Sequence, residues 1–253
     1  AQIVRELGKF LKEGSLYRGF KPVLWSTVEK TALADAEVEY QDHKSDTIYA
    51  SFLVKFSKMK ELEGSEIVIW TTTPWTIPAN KALAYNEALT YVLIQLNDDN
   101  DFKNRKIVVA EALLESVLNE CSIKDFKEIK KFKGKELKDT ICNHPFFNLG
   151  YDYDIPLLGA RFVTTEQGTG FVHCAPSHGP DDFNLCLNNG IKAIETVDGD
   201  GKYTKNVQLF EGIHIFKANP IVIEKLKEQK KLLSNGELIH SYPHSWRSKA
   251  PLV

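Results

Sequence analysis

Apolar and polar residues alternate along much of the middle of the chain, and this alternation predicts β-strands because successive side chains of a strand point to opposite faces. The longest such pattern begins near Ser45 and predicts a half-buried strand with five apolar residues on one face: Ile48, Ala50, Phe52, Val54 and Phe56. Six further strands are predicted, over residues 66–70, 91–96, 106–110, 160–165, 171–174 and 191–197. Turn-forming residues separate them at 97–101, 166–170 and 198–201.

Helical spacing is confined to a few segments. Near the N-terminus, an apolar helical face is followed by Gly14 and comprises Ile3, Val4, Leu7, Phe10 and Leu11. Further helices are predicted over 111–120, 181–188 and 220–233, with Pro180 and Pro220 at first helical positions. Many short strands with few helices favour an α+β fold with a β-rich body, built as a barrel or a strongly curved sheet.

The two ends of the chain differ in character from its middle. Residues 16–25 and 238–253 are strand-like, aromatic and basic, and the sequence stops in mid-strand. We therefore expect a body over 42–235 that is inserted into a host domain, with residues 1–41 and 236–253 as two stubs that lead to and from that host.

Composition is that of a globular protein. The 253 residues are 43% hydrophobic and 26% charged, and 32 basic residues nearly balance 34 acidic ones. No apolar run is long enough for a membrane helix, so we expect no membrane contact. Seven lysines and three acidic residues fall in 124–138, where an edge strand protected by lysines is favoured over a contact with a nucleic-acid backbone.

The four cysteines form no CxxC pair, so neither a structural zinc site nor a disulfide framework is predicted. A reducing compartment is the default, and without a leader-like N-terminal pattern the expected location is the cytoplasm, with an organelle as the alternative. Cys174 follows His173 directly, which raises the question of a thiol nucleophile. Alternation along a strand would point the two side chains to opposite faces, so we expect Cys174 to pack in the core.

The first segment with chemical potential is WTTTPWTIPAN, residues 70–80, which directly follows a buried strand. Its threonines and prolines predict a stiff loop whose hydroxyls can face a small polar ligand. The alternative is a plain turn in which the threonines bond to nearby backbone groups.

The second segment is GTGFVHCAPSHGPDD, residues 168–182, a short strand followed by a loop that enters a helix. It concentrates His173, His178, Asp181 and Asp182 where ligand sites commonly lie. Because both aspartates fall in the first helical turn, we expect the helix end to favour their ionised form, which could hold an ammonium group. A metal site is disfavoured, since the His-x4-His spacing matches no established metal motif.

These two segments resemble the editing domain of isoleucyl-tRNA synthetases, an insertion in a class I catalytic domain. The resemblance extends over nearly the whole chain through three more segments: LYRGFKPVLWS at 16–26, HKSDTIYASF at 43–52 and YPHSWRSKAPL at 242–252. Leucyl enzymes (TTRPDT, AVPGHDQRDY) and valyl enzymes (TPAHDPND) match less well. Two positions depart from the family pattern, namely Cys174, where many bacterial relatives have threonine, and Ser177.

The resemblance implies hydrolysis of valine wrongly esterified to isoleucine tRNA, and of misactivated valyl-adenylate, with isoleucine excluded by its size. It implies that Asp182 holds the α-ammonium group and that Thr72 and Thr73 contact the aminoacyl adenosine and the attacking water. His173 would border the side-chain pocket and reject isoleucine. The remaining substrate-binding candidates are Thr71, Trp75, Thr76, Asn80, Ala175, Pro176, His178 and Asp181.

The resemblance also sets the expected partners and cofactors. Editing would need no metal or cofactor, whereas the full-length ligase would use ATP and Mg, with zinc as an option outside this segment. Partners would be the 3′ end of tRNA(Ile) carrying valine and the rest of the synthetase chain, and the protein would be a monomer. No HxGH-type or KMSKS-type motif is present, so we expect no ligase activity. Two other functions remain open: a non-catalytic RNA-binding module and a metallohydrolase.

Overall fold

The computed structural model describes residues 1–98 and 102–253. This part of the chain forms twelve strands: β1 Trp25–Ser26, β2 Thr31–Ala32, β3 Val38–Phe56, β4 Glu66–Thr71, β5 Ala82–Tyr85, β6 Thr90–Leu96, β7 Lys106–Ala110, β8 Phe126–Lys133, β9 Ile141–Asn143, β10 Asp154–Gly159, β11 Phe171–Cys174 and β12 Leu232–Ser245. The α-helices are α1 Gln2–Lys12, α2 Leu114–Glu120, α3 Pro180–Asn188 and α4 Ala218–Glu228. Short 3-10 helices span Asp35–Glu37, Lys60–Leu62, Pro74–Ala79, Glu111–Leu113, Gly134–Leu137 and Ile215–Lys217.

Ten of the strands form one large mixed sheet in the order β11-β5-β10-β9-β3-β4-β7-β6-β8, with β12 paired to β3. The pairs β5/β10 and β4/β7 are parallel, and the other pairs in the sheet are antiparallel. The α+β class is therefore confirmed. The barrel form of that expectation is not, because within the described residues β8 and β11 end the path and do not pair with each other.

Strand β3 is longer and more buried than its pattern predicts. Ile48, Ala50 and Phe52 pack in the main core, while Tyr49 between them packs in a second apolar cluster on the other face. Because both faces are covered, the expectation of a half-buried strand is wrong here. Phe56, predicted to point inward, is 42% exposed at the end of the strand.

Strands β3 and β12 form a long antiparallel ladder that runs from the pair Leu232 and Ala50 to the pair Ser245 and Val38. The expected domain boundaries at 42 and 235 fall inside this ladder. Beyond it, Trp25 and Val253 exchange two backbone hydrogen bonds of 3.0 Å. The segments on either side of the body thus lie against each other.

Two predicted strands do not form. Residues 160–165 leave the sheet after β10, and Ala160 and Val163 instead pack beside β5, β11 and α3. Residues 191–196 are irregular, with Ser177 donating to the carbonyl of Ile194 and Thr204 donating to that of Glu195, and only Val197 forms an isolated bridge, with Tyr203. The turn predicted at 97–101 lies partly outside the described residues.

The helices are placed largely as predicted. The helices at 111–120 and 181–188 are confirmed, with the first turn of the former being 3-10. The one predicted over 220–233 begins earlier, at Ala218, and ends at Glu228, because Lys230 adopts a positive φ and the chain turns into β12. Helix α1 is confirmed, but its apolar face is exposed, with Ile3 at 84%.

Candidate functional site

The threonine-rich segment is a rigid structure at the end of β4. The strand ends at Thr71, and a 3-10 helix follows over Pro74–Ala79 with proline at its first position. Side chains from distant parts of the chain hold its backbone. His144 Nε2 donates to the Ile77 carbonyl at 3.0 Å, and the Tyr153 hydroxyl donates to the Asn80 carbonyl at 3.0 Å.

The second segment lies directly beside the first. Strand β11 pairs with β5, and within the described residues it also lies against β4 without pairing with it. Between them lies a cavity of about 190 Å³. Its walls are formed by Trp70, Thr71, Thr73, Thr76, Val172, His173, Ala175, His178 and Asp182.

The structure thus brings together seven of the residues that the sequence assigned to the site: Thr71, Thr73, Thr76, His173, Ala175, His178 and Asp182. Five others do not line the cavity: Thr72, Trp75, Asn80, Pro176 and Asp181. Trp75 and Asn80 lie buried behind it, Pro176 is buried, Thr72 is half-buried and Asp181 is exposed. Trp70 and Val172 line the cavity but were not assigned to it. The position of each beside an assigned residue at a strand end was the available signal.

A chain of hydrogen bonds fixes the protonation state of His173. The Asn80 amide nitrogen donates to the Ala82 carbonyl at 2.9 Å, which sets the orientation of that amide. The same nitrogen lies 3.3 Å from His173 Nδ1, which must therefore be an acceptor. His173 Nε2 then donates to the Thr76 hydroxyl at 2.8 Å, and Thr76 donates to the Thr73 carbonyl at 2.8 Å. The imidazole is consequently neutral and cannot accept a proton from Thr76.

The hydroxyl of Thr73 is the one left available to a ligand. Thr71 Oγ1 accepts the Thr73 amide hydrogen at 3.1 Å and lies 3.1 Å from Thr73 Oγ1, to which it can donate. The remaining neighbour of that oxygen is the Thr76 hydroxyl at 3.3 Å, a long contact. Thr73 can therefore turn its hydrogen into the cavity.

Both histidines of the cavity are neutral at physiological pH. Burial lowers the pKa of His173 to about 4. Burial, together with the neighbouring His173, lowers the pKa of His178 to about 4. Two contacts hold His178 in place: its Nε2 lies 2.7 Å from the Thr196 hydroxyl, and its ring lies edge-on to Trp75 with the ring centroids 4.8 Å apart. The rings of His173 and His178 therefore shape the cavity without adding a positive charge to it.

Asp182 is the carboxylate of the cavity. Its Oδ2 accepts the Ala175 amide hydrogen at 2.8 Å. Burial raises the pKa of Asp182 to about 6, although the Ala175 hydrogen bond opposes the shift. The expectation that the helix end would favour the ionised form is wrong in its net effect for Asp182, because desolvation outweighs it. At pH 7 the group is still mostly ionised.

Cys174 does not line the cavity, and the prediction that it packs in the core is confirmed, although its thiol lies close enough to Asp182 for that carboxyl to raise the pKa of the thiol further. Its side chain is fully buried with Ala82, Ala84 and Cys186, and burial raises the pKa of the thiol well above its ordinary value. A thiol in such surroundings is a poor nucleophile.

We therefore expect the Cys174→Ala variant to keep the hydrolysis implied by the resemblance within about tenfold, since loss of a true nucleophile costs several orders of magnitude. Single-turnover release of valine from Val-tRNA would measure this. A loss beyond a thousandfold in a variant that still melts cooperatively would restore the thiol to the mechanism.

His144 had no assigned role in the sequence, yet it supports the site. It is buried, accepts the Phe146 amide hydrogen at Nδ1 and stacks on Tyr151 at 4.5 Å. Burial lowers its pKa to about 3. In the unfolded chain His144 takes up a proton near pH 6.5, whereas in the folded chain it stays neutral down to a much lower pH. His144 therefore lowers the free energy of unfolding as the pH falls below 6.5.

In the His144→Gln variant, which keeps a donor and an acceptor but does not titrate, stability should depend less on pH. Between pH 7 and pH 5 the free energy of unfolding should fall by about 2 kcal/mol more in the wild type than in the variant. Urea unfolding at both pH values measures the difference. Equal losses in the two proteins would contradict the buried neutral state of His144.

A larger cavity, of about 310 Å³, lies elsewhere on the sheet around Glu66 and Arg105. Its charged groups are already engaged with each other: Arg105 Nε donates to Glu66 at 2.7 Å, and Lys231 donates to the same carboxylate at 2.6 Å. We therefore place the candidate site in the smaller cavity, where several polar groups meet and are not all engaged in ion pairs with each other.

Other expectations concern metals, membranes and the lysine-rich segment. Over residues 1–98 and 102–253, no group of three or more His, Cys, Asp or Glu side chains is arranged to hold a metal ion. Within the same ranges, no helix has the length and apolarity needed to cross a membrane. The lysine-rich segment contains the edge strand β8, as predicted, and Lys130 and Lys131 pair with Glu61 and Glu111.

Comparison with known proteins matches the chain to one family of tRNA synthetases. The family model described as tRNA synthetases class I (I, L, M and V) matches residues 1–237. The chain is 84% identical over its whole length to the isoleucine–tRNA ligase of Pelagibacter ubique, and 46% identical to that of Gluconobacter oxydans. Both alignments extend over the whole of this chain, which spans only 28% of the length of each relative.

Solved structures share its fold. The editing domain of the cytosolic leucyl-tRNA synthetase of P. knowlesi aligns with a TM-score of 0.55 at 13% identity, covering 76% of this chain and 96% of that domain. The corresponding domain of P. falciparum aligns with a TM-score of 0.53 at 11% identity, covering 76% and 99%. At such identities the likeness concerns the fold alone.

Proposed function

This chain belongs to the tRNA synthetases of class I (I, L, M and V), and on that premise we propose that it is an editing domain that hydrolyses the ester of valine wrongly attached to isoleucine tRNA. The observation that carries the proposal is the cavity between β4 and β11. There, one carboxylate, one available threonine hydroxyl and two neutral histidines line the same small volume. Misactivated valyl-adenylate, which carries the same amino acid, is a second substrate of this proposal.

The dimensions of the cavity suit the aminoacyl group. Its volume of about 190 Å³ lies below the roughly 300–1,000 Å³ of pockets that enclose drug-sized ligands. We assign Asp182 to the α-ammonium group of valine, because a buried carboxylate and an ammonium group compensate each other's desolvation. The adenosine would stay outside, where Thr72 would contact it.

The proposed reaction is attack by water on the ester carbonyl carbon, followed by cleavage of the bond to the ribose oxygen, which leaves with a proton. Thr73 and backbone N–H groups would position the water and stabilise the oxyanion, with a ribose hydroxyl of the terminal adenosine assisting. His173 contributes no base in this scheme, since its Nδ1 accepts from Asn80 and its Nε2 already carries a hydrogen. We propose that the reaction needs no metal.

A second, hydrolytic site is needed because a binding pocket alone discriminates poorly between valine and isoleucine. One methylene distinguishes substrates by only ~1–3 kcal/mol in an apolar pocket, and isoleucyl-tRNA synthetases are the standard illustration of that limit. A second cavity that is too small for isoleucine can remove the valine that the first accepts. In the proposed site, His173 forms the wall that excludes the extra methylene.

The test is deacylation by the purified 253-residue chain. We expect it to release valine from Val-tRNA(Ile), and from the valyl ester of adenosine at higher concentration, while leaving the isoleucyl counterparts intact. Release from neither substrate would refute the proposal. Binding of tRNA without hydrolysis would favour the RNA-binding module, and loss of activity with EDTA would favour the metallohydrolase.

The chain spans only 28% of the length of its isoleucine–tRNA ligase relatives, which supports a proposal about its partners. We propose that it works as part of a longer synthetase chain, whose other domains bind ATP and Mg and make the main contacts to tRNA. The isolated segment would then be a monomer without ligase activity that receives the 3′ end of tRNA(Ile). We propose the cytoplasm, or an organelle, as its location.

A further inference from the structure

Thr73 is the N-cap residue of the 3-10 helix Pro74–Ala79, and threonine is a residue type that commonly caps helices. The hydroxyl oxygen of a threonine at the N-cap position ordinarily accepts a hydrogen bond from an unpaired backbone N–H of the first helical turn. Thr73 makes no such side-chain bond. Pro74 has no N–H, so Trp75 carries the first backbone hydrogen that needs an acceptor.

That acceptor comes from another part of the chain. The Trp75 amide donates to Asn219 Oδ1 at 3.0 Å. The Trp75 carbonyl accepts a short hydrogen bond from the Tyr203 hydroxyl. Both backbone groups of Trp75 are therefore held by side chains that do not line the cavity.

Asn219 is itself fixed in place. It is the second residue of α4, whose first turn packs on the 3-10 helix. Its amide nitrogen donates to Asp46 Oδ2 on β3 at 2.9 Å. This second bond sets the orientation of the amide, so that Oδ1 rather than the nitrogen faces Trp75.

From this arrangement we infer that Asn219 is a positioning residue, which caps the 3-10 helix in place of Thr73 and thereby leaves the Thr73 hydroxyl available in the cavity. The expected effect on hydrolysis rests on the proposed function. If Asn219 is removed, the Trp75 amide loses its acceptor, and the nearby hydroxyl of Thr73 becomes the local replacement. The hydroxyl is then withdrawn from the substrate without any change in the residues that touch it.

The first test is the Asn219→Ala variant of the 253-residue chain, assayed on the valyl ester of adenosine and on Val-tRNA. We expect kcat to fall by about 10- to 100-fold with KM changed little, since misplacing one positioning group costs about that much. The matched control is Asn119→Ala, which removes an exposed asparagine from α2. It should change neither constant.

A pair of substitutions separates positioning from general destabilisation. In Asn219→Asp, the acceptor for Trp75 remains but a carboxylate faces Asp46, so kcat should also fall. Adding Asp46→Asn restores a donor opposite that carboxylate and should return kcat to within a few-fold of the wild type. Failure of this rescue, in a double variant that melts like the wild type, would overturn the inference.

The amide hydrogen of Trp75 gives a readout that does not depend on hydrolysis. Its exchange with solvent should accelerate in Asn219→Ala, because the replacement acceptor, Thr73, is only half-buried and lines the open cavity, and it should return to the wild-type rate in the rescued pair. If the wild-type chain hydrolyses neither substrate, the proposed function fails. If it does hydrolyse them, and Asn219→Ala keeps its kcat whatever the exchange rate of the Trp75 amide, the inference fails while the proposed function stands.

Discussion

Replacing Asp182 by asparagine is expected to lower the rate of valine ester hydrolysis by at least about 100-fold, because the partner of the ammonium group loses its charge. The amide oxygen can still accept the Ala175 hydrogen, so the local structure should persist. Asp181→Asn is the matched control, since that residue lies next in the chain but is exposed and outside the cavity. An active Asp182→Asn variant would remove Asp182 from the mechanism.

The same substitution should make the protein more stable. Burial raises the pKa of Asp182 from 3.8 to about 6. The folded chain therefore binds a proton more tightly than the unfolded chain, and its stability declines as the pH rises through this interval. At pH 8 the asparagine variant should gain up to about 3 kcal/mol in the free energy of unfolding.

Two measurements check this account of Asp182. Urea unfolding at pH 4 and pH 8 should show the gain at pH 8 and little of it at pH 4. In the wild type, kcat/KM for the valyl ester of adenosine should fall by about tenfold per pH unit below pH 6. A stability gain that is the same at both pH values would contradict a buried, titrating carboxylate.

Replacing His173 by alanine is expected to open the cavity to isoleucine, so that the correctly charged tRNA is hydrolysed as well. Relative hydrolysis of isoleucyl and valyl esters should rise by about 10- to 100-fold, the range that one methylene can supply in an apolar pocket. Parallel assays on Ile-tRNA(Ile) and Val-tRNA(Ile) measure the ratio.

The control for this prediction is His173→Gln, which keeps a long side chain with a donor and an acceptor. It should retain more of the discrimination than alanine does. An unchanged ratio in His173→Ala would mean that another wall excludes isoleucine, and Val172 would be the next residue to test because it also lines the cavity.

Local patterns predicted those elements in which one face meets the core or a strand is bounded by turns. Strands β4, β6, β7 and β11 were found in this way. Strand β5 was missed, because the sequence ALAY is buried at every position and shows no alternation. Residues 160–165 and 191–197 show the opposite failure: apolar composition suggested strands, but their backbone pairing is limited to single contacts, such as the Ala160 amide with the Tyr85 carbonyl and the isolated bridge between Val197 and Tyr203.

The residues of the candidate site were found because they cluster in two short segments. What holds those segments in place was not visible, since His144, Tyr203 and Asn219 come from positions far along the chain and carry no local signature. The net ionisation of Asp182 was also misjudged. A helix position can be read from sequence, whereas the degree of burial depends on how β4 and β11 meet.

The ladder between β3 and β12 has a consequence for biosynthesis. In the described residues, β4 and β9 cover β3 only from Ile48 onward, so its first half has β12 as its strand partner. Strand β12 begins about 175 residues after β3 ends, a distance that a ribosome covers in roughly 10–35 s at about 5–20 residues per second. During that time the edge stays open in the nascent chain. The charges of Glu39, Asp42, Lys44 and Asp46 would keep it from pairing with another chain.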